Sequence, residues 1–281
     1  MNRRDRRKAA KTRRSALGRL KLRCISCERA GLPMTKEHFW PQWLTERAGL
    51  ARDRKIRWVG AKRIPAAAAT LPLCADCNNS FGSQLEGPAS SIFADMEAGR
   101  GLGDAEAEIL IRWLWKFEGL VWNTKHHSHP HARYSDLWTL KERVLGPSIT
   151  EIRPELALGI ALIEKNDEGF TDWPIGIDSP TANHNAIFVS GVFSRTALMV
   201  FLNRFCHLVP HEFQIYHLKP VRDPEPSKVF FPAVGFEWAN EAVFRTLSSS
   251  MALLEAHEAF ATQRRQEARL IIPEKPRVEI F

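Results

Sequence analysis

The sequence of 281 residues lacks the features of a membrane protein or a secreted protein. Its longest fully apolar runs, such as residues 156–163, are far shorter than the about 20 residues that an α-helix needs to span a bilayer. Its basic beginning is not followed by the apolar segment of a signal peptide. We therefore expect a protein without a membrane role.

Cysteine is also scarce, with five residues in the whole chain. Four of them form two pairs, Cys24 with Cys27 and Cys74 with Cys77, and Cys206 lies alone in an apolar segment. Every cysteine thus has an interpretation without a disulfide, which is the pattern of reducing compartments. We expect a cytoplasmic protein.

Acidic residues are almost absent from residues 1–23, which we call the arm. The arm holds eight arginines and three lysines against the single acid Asp5, a net charge of +10. Since the whole chain carries +8, the remaining 258 residues sum to about −2. Such a segment cannot bury enough apolar surface to fold alone, so we predict that it is disordered until it meets an anion.

The arm predicts contacts with the phosphate backbone of a nucleic acid, which weaken steeply as salt rises. A solubilising tail and an assembly arm for a protein partner are alternatives. A second basic cluster lies at 47–63, with Asp53 as its one acid. Two positive segments around one candidate site favour nucleic acid, with DNA as the expected partner. The predicted nucleic-acid-binding residues are Arg3, Arg4, Arg6, Arg7, Arg13, Arg14, Arg52, Arg54, Lys55 and Arg57.

The two Cys-x2-Cys pairs have 46 residues between them and supply four soft ligands, the set that a tetrahedral structural zinc takes. The alternative is two unrelated pairs. An acid, a histidine and an asparagine lie inside or against this frame, namely Glu37, His38 and Asn78. A zinc site alone would indicate a small folded knuckle, whereas these three residues at fixed offsets indicate a nuclease active site.

The order Cys-x2-Cys, Glu-His-x2-Pro, Cys-x2-Cys-Asn resembles the HNH endonucleases over residues 24–86. The resemblance implies a zinc-stabilised ββα-metal domain, treble-clef-like, in which a β-hairpin and a helix fold over a metal. The chain departs from the family at 69–73, where an asparagine that usually braces the loop is missing. It departs again at Glu37, where aspartate is commoner.

The same resemblance assigns roles to three residues. It implies that His38 is the general base and that Glu37 and Asn78 hold a catalytic Mg²⁺ or Mn²⁺ ion. It also implies products with a 5′-phosphate and a 3′-hydroxyl.

The residues themselves fit those roles and leave alternatives. An imidazole changes charge near neutral pH and so can take a proton from water, although His38 could also be a strand histidine bonded to backbone. Glu37 offers the hard oxygen that Mg²⁺ prefers. Because neighbours on a strand point to opposite faces, Glu37 and His38 cannot both face the metal unless the strand is twisted or bulged. Asn78 could instead cap its helix, and Glu86 could support the site or be the last exposed residue of that helix.

Apolar periodicity predicts an α+β chain. Together with the charge of the arm and the resemblance to HNH endonucleases, it leads us to expect three parts: the basic disordered arm 1–23, an HNH nuclease domain with a structural zinc at 24–99, and a larger α+β domain at 104–281. In the nuclease domain we expect a strand at 34–39, a helix from Pro41 to near Gly49, a strand at 56–59, a helix after the second cysteine pair that stops at Gly87-Pro88, and a further helix after it.

The remaining domain begins with a helix after Asp104 that is apolar nearly all round and is therefore expected to be buried. No motif can be attached to this domain. Its other predicted elements are strands at 156–163, 186–193, 213–218 and 229–234, a helix at 196–205 and a long helix from Asn240.

Two further features have competing interpretations. Residues 126–131 contain four histidines and Pro130, which could bind a transition metal but are expected to form an exposed loop. Trp40 and Trp43 could stack on bases or pack beside the zinc knuckle.

Together these observations predict a metal-dependent HNH-type endonuclease that hydrolyses phosphodiester bonds of nucleic acid. One alternative is a zinc-stabilised nucleic-acid-binding module without turnover. Another is a regulated component of a larger machine, such as a bacterial anti-phage system, in which 104–281 binds a protein partner or forms a homo-oligomer.

Overall fold

The structure is a computed structural model, which describes residues 23–51, 53–57, 63–126, 138–147, 149, 153–165, 173–178, 188–218 and 236–238. It contains helices and strands in mixed order and is therefore an α+β protein, as the sequence predicts. Of the described helices, none combines the length and the apolar character that crossing a bilayer requires.

A pair of antiparallel strands frames the first part of the fold. Strand β1 (Met34–His38) runs beside β4 (Thr70–Cys74), with Met34 opposite Cys74 and His38 opposite Thr70. This confirms the predicted strand at 34–39. Helix α1 (Gln42–Arg47) begins shortly after β1 ends. Pro41 is the N-cap of α1, and its carbonyl accepts hydrogen bonds from the N–H groups of Leu44 and Thr45.

In the chain, β1 and β4 are separated by a small antiparallel hairpin of β2 (Lys55–Arg57) and β3 (Arg63–Pro65). The strand predicted at 56–59 is found at 55–57, and residues 58–62 lie outside the described residues.

The helix after the second cysteine pair does not stop at Gly87-Pro88, so that prediction is wrong. Helix α2 (Ala75–Phe81) passes through a π-helical turn (Gly82–Glu86) directly into α3 (Gly87–Glu97), with Pro88 in the first turn of α3. A proline interrupts an α-helix because it has no N–H and crowds the carbonyl one turn before it. The wider π-helical turn accommodates both effects, and the chain stays helical.

The second part of the fold is a six-stranded sheet beside a long helix, α4 (Asp104–His126), and a short one, α5 (Leu140–Leu145). The strands are β5 (Leu156–Lys165), β6 (Ile175–Asp178), β7 (Val189–Phe193), β8 (Thr196–Leu202), β9 (Gln214–His217) and β10 (Phe236–Trp238). Strand β5 is central: it pairs with β8 and β9 antiparallel and with β10 parallel, while β7 pairs with β8 and β6 with β7.

The helix predicted at 196–205 is a strand, β8, followed by a 3₁₀ turn (Asn203–Leu208). All seven residues of β8 are buried, and a short run that is apolar on both sides carries no periodicity to separate strand from helix. The strands predicted at 156–163, 186–193 and 213–218 are found as β5, β7 and β9. The predictions at 229–234, from Asn240 and over residues 1–22 lie outside the described residues.

One hydrophobic core runs through both parts of the fold, and α4 is its axis. Trp113 and Phe117 on α4 are fully buried, which confirms the buried helix after Asp104. Phe193 of β7 packs against Trp113 with ring centroids 4.8 Å apart, and Phe117 packs against Trp40 at 5.2 Å. The aromatic side chains thus join the sheet, α4 and the start of α1 without a break.

The close contact between α4 and α5 generates a stability prediction. A Cβ atom at Gly119 would lie 2.3 Å from Cδ1 of the buried Leu140, so Gly119→Ala should lower the free energy of unfolding by about 1–3 kcal/mol through overpacking. Gly82→Ala is the matched control, since no heavy atom lies within 4 Å of that Cβ position. Urea denaturation of both variants checks this, and equal stabilities would contradict the packing.

Candidate metal centre and candidate active site

The first cysteine pair lies on a tight turn that we call the knuckle, residues 23–30. The Cys24 N–H donates to the Arg29 carbonyl at 2.9 Å, and the Glu28 N–H donates back to the Cys24 carbonyl at 2.8 Å. Glu28 has a φ of +57°, the left-handed conformation that lets the chain reverse within a few residues. The Ile25 N–H donates to the carbonyl of Pro72 on β4. The turn and this hydrogen bond place Cys24 and Cys27 on the side of the knuckle that faces β4.

The second pair lies where β4 becomes α2. Cys74 is the last residue of β4 and the N-cap of α2, and Cys77 lies in the first turn of the helix. The four ligand sulfur atoms of both pairs lie within 4.8 Å of one another. A tetrahedral zinc with Zn–S bonds of about 2.3 Å separates its sulfurs by about 3.8 Å, and Sγ of Cys27 is 3.9 Å from Sγ of Cys74.

The four cysteines therefore form one cluster, and the alternative of two unrelated pairs is wrong. All of them are free thiols rather than disulfides. The donor set and its spacing fit a metal ion such as zinc.

The surroundings of the cluster act on its thiols in opposite directions. The Cys74 N–H donates to Sγ of Cys24 at 3.3 Å, and burial raises the pKa of the Cys24 and Cys77 thiols. Burial also acts on Cys27, but hydrogen bonds from the backbone and side chain of Arg29 outweigh it and lower the pKa of Cys27 to about 7. Cys27 is thus the thiol that most readily supplies negative charge.

Glu37 and His38 lie side by side near the end of β1 and point in opposite directions. His38 is exposed, as is Lys36 on the same face of the strand, whereas the Glu37 side chain is only 13% exposed and points inward. The alternation expected of a strand is therefore kept, with no bulge that would bring both side chains to one face.

Asn78 is the fourth residue of α2, and the capping alternative for it is wrong. The N-cap of α2 is Cys74, without a side-chain hydrogen bond. Asn78 is half-buried, and the helix that carries it packs against β1. Asn79, next in the chain, is exposed.

Lys116 is a functional candidate that sequence reasoning missed. It lies in the middle of α4, is fully buried, and its Nζ donates to Oε1 of Glu37 at 2.5 Å and to Oε1 of Glu86. Burial alone would lower the pKa of the Lys116 ammonium, but the charges of Glu86 and Glu37 outweigh it and raise that pKa. The signal in the sequence was a lysine between two large aromatic residues, Trp115 and Phe117, because a buried charge has to be paired.

Glu86 is not an exposed helix end, because its side chain is only 12% exposed and the helix continues past it. Its other oxygen, Oε2, accepts hydrogen bonds from the indole N–H groups of Trp43 at 2.9 Å and Trp113 at 3.1 Å. Trp43 also packs against Phe93, and Trp40 is buried. Both tryptophans pack against α4, Trp40 on Phe117 and Trp43 on Trp113, which favours a packing role over stacking on bases.

The predicted nucleic-acid-binding residues are described only in part. The β2–β3 hairpin packs Ile56 and Ile64 against the core, while Lys55 and Arg63 are exposed. Arg54, just before the hairpin, is exposed as well. Arg52, the side chain of Arg57 and the arginines of the arm up to residue 22 lie outside the described residues, as do His127, His129 and His131.

Within the described part of the chain, the four cysteines are the one group of three or more Cys, His, Asp or Glu side chains close enough to hold a metal ion. Glu37 and His38 do not belong to such a group. No protein-family model, curated protein or solved structure matches this chain. Function is therefore inferred from the residues of the site and their geometry.

The cysteine cluster predicts that the purified chain carries zinc. Cys77→Ser should lose the metal and lower the melting temperature, whereas Cys206→Ser, outside the cluster, should change neither. Zinc content by atomic emission, together with thermal melting, checks both variants.

Acid should also release the zinc, because protons compete with the metal for the sulfurs. Without metal, the lowered pKa of Cys27 contributes stability that is present above the ordinary thiol pKa of 9.0 and is lost as the pH falls through about 7.

Zinc retained by Cys77→Ser at the wild-type level would contradict the assignment of the four cysteines as zinc ligands.

Proposed function

We propose that the chain is a metal-dependent endonuclease of the HNH type, with a structural zinc, that hydrolyses phosphodiester bonds of nucleic acid, with DNA as the expected substrate. One observation carries the proposal: strands β1 and β4 pair antiparallel, β4 leads directly into α2, and the cysteine cluster ties the knuckle to the junction of β4 and α2. His38 then lies on the first strand and Asn78 on the helix, in the order that a ββα-metal fold requires.

His38 is proposed as the general base. Its imidazole is exposed at the end of β1, so a phosphodiester and a water can reach it. An imidazole changes charge near neutral pH and can accept the proton of the attacking water. Lys36, exposed on the same face, offers a positive charge to the backbone of the substrate.

Glu37 and Asn78 are proposed as the protein ligands of a Mg²⁺ or Mn²⁺ ion. Because Oε1 of Glu37 accepts from Lys116, we assign Oε2 to the cation, together with the amide oxygen of Asn78. These are hard oxygen donors, and Mg²⁺ in phosphoryl-transfer sites usually takes one or two carboxylates and completes its shell with water and phosphate. When bound, the ion would supply charge neutralisation at the phosphate and the leaving oxygen.

Nucleic acid is the proposed partner because exposed cations lie on β1 and on the hairpin that joins β1 to β4 in the chain. Lys36 on β1 and Arg54, Lys55 and Arg63 at the hairpin are exposed on elements that flank His38 in the chain. The arm would add further phosphate contacts. We also propose a role in bacterial defence, in which part of 104–281 is a docking surface for a protein partner.

A second candidate is a zinc-stabilised binding module without turnover. It is favoured by the ion pair between Glu37 and Lys116, which satisfies the carboxylate without a divalent cation. The two candidates differ in whether the protein cleaves nucleic acid with His38 as the base or only binds it.

His38→Ala should lower the cleavage rate by about 10²–10⁴-fold, the usual contribution of a general base. Plasmid and single-strand cleavage are measured at low salt with Mg²⁺, Mn²⁺ or EDTA. The zinc content should stay unchanged, and His211→Ala, an exposed histidine far along the chain, is the matched control. Wild type and His38→Ala that are equally inert but bind DNA would favour the binding module.

Charge reversal at the hairpin should weaken nucleic-acid binding without affecting zinc. Lys55→Glu and Arg63→Glu should each raise the Kd and lower the salt slope by about 0.9 for every phosphate contact that is lost. Arg100→Glu makes the same charge change at an exposed residue after α3. Fluorescence anisotropy at several salt concentrations checks this, and equal slopes in all variants would exclude the hairpin from the interface.

A further inference from the structure

Three charged side chains from three separate elements meet at one buried point. Lys116 comes from α4, Glu37 from β1 and Glu86 from the π-helical turn. The Lys116 side chain is 0% exposed, and the carboxylates of Glu37 and Glu86 are 13% and 12% exposed. With no exposure to solvent, the ammonium cannot touch a phosphate, so its role must act through its two partners.

Glu86 is the fixed member of this group. Its Oε1 accepts from Lys116 and its Oε2 accepts from Trp43 and Trp113, so both oxygens are held by groups in the core. Lys116 is held in turn, since its Nζ also lies 5.5 Å from the centre of the Phe81 ring. The ammonium is therefore a rigid donor built into the core before any substrate or cation arrives.

Glu37 is the variable member, because Lys116 holds it through Oε1, whereas Glu86 is held through both of its oxygens. A strand places the Glu37 backbone, but three side-chain torsions separate the backbone from the carboxylate. The hydrogen bond from Lys116, at 2.5 Å, fixes Oε1 and so determines where Oε2 lies. Supporting hydrogen bonds of this kind orient metal ligands in proteins and typically change metal affinity or activity by about 10–100-fold when they are removed.

We infer that Lys116 is a positioning residue of the candidate active site: anchored by Glu86, it holds the Glu37 carboxylate in the orientation that a divalent cation needs. The inference rests on the proposed function for the identity of that cation. It also means that the site of residues 24–86 is incomplete without α4, which lies beyond the predicted nuclease domain.

Direct Mn²⁺ binding tests the inference without relying on cleavage. Full-length, zinc-loaded wild type and Lys116→Met are titrated with Mn²⁺, and free Mn²⁺ is followed by electron paramagnetic resonance. We expect Lys116→Met to bind Mn²⁺ at least about tenfold more weakly. Removing a positive charge would by itself tighten cation binding, so weaker binding reports the loss of carboxylate position.

The matched control, Arg143→Met, breaks another buried ion pair that involves α4. Arg143 donates to Glu118 of α4 at 2.9 Å, with side chains 4% and 1% exposed. Arg143→Met should lower the melting temperature but leave Mn²⁺ affinity at the wild-type value. If Lys116→Met does not fold, Trp43→Phe removes a hydrogen bond that holds Glu86 without changing any charge, and it should weaken Mn²⁺ binding in the same direction.

The outcomes separate this inference from the proposed function. Equal or tighter Mn²⁺ binding by folded Lys116→Met, or no specific Mn²⁺ binding by wild type, overturns the positioning role. Weaker binding by Lys116→Met supports it, even if wild type cleaves no substrate, in which case the endonuclease proposal alone fails. When wild type does cleave, the Mn²⁺ concentration for half-maximal rate should rise by the same factor in Lys116→Met and stay unchanged in Arg143→Met.

Discussion

The burial of one positive charge constrains much of this fold. Lys116 lies at the centre of the helix that forms the axis of the core, where an unpaired ammonium would be too costly to keep. Two carboxylates therefore have to reach it, one from β1 and one from the turn between α2 and α3. This requirement fixes the distance of both elements from α4, and the indole N–H groups that Glu86 also accepts place two tryptophans around the same point.

The cysteine cluster applies a second constraint to the pair of strands β1 and β4, at the end of the pair that contains Cys74. It ties the knuckle to the junction of β4 and α2, while β4 carries β1 in its ladder. Strand β1 is thus held by a metal-binding cluster at one end and by an ion pair with α4 near the other. The residues on its solvent face, Lys36 and His38, stay exposed on a strand that is held near both ends.

Local pattern accounts for the correct predictions. Alternation and spacing locate β1, the long helix after Asp104 and strands β5, β7 and β9 because periodicity and chain breakers act within a few residues. The errors arise where local signals are silent or overridden. Strand β8 is apolar on both faces and has no period, and Pro88 is accommodated by the π-helical turn just before it, in which Leu85 is buried.

The sequence by itself determined the four cysteine ligands, the strand that presents Glu37 and His38 to opposite faces, and the charge of the basic segments, because each follows from residue type and short-range spacing. Only the tertiary structure decided that Lys116 pairs with Glu37 and Glu86, residues 79 and 30 positions away along the chain. No periodicity links such distant positions. Their meeting follows from the way α4 packs on the strand pair and from the need to neutralise a charge buried there.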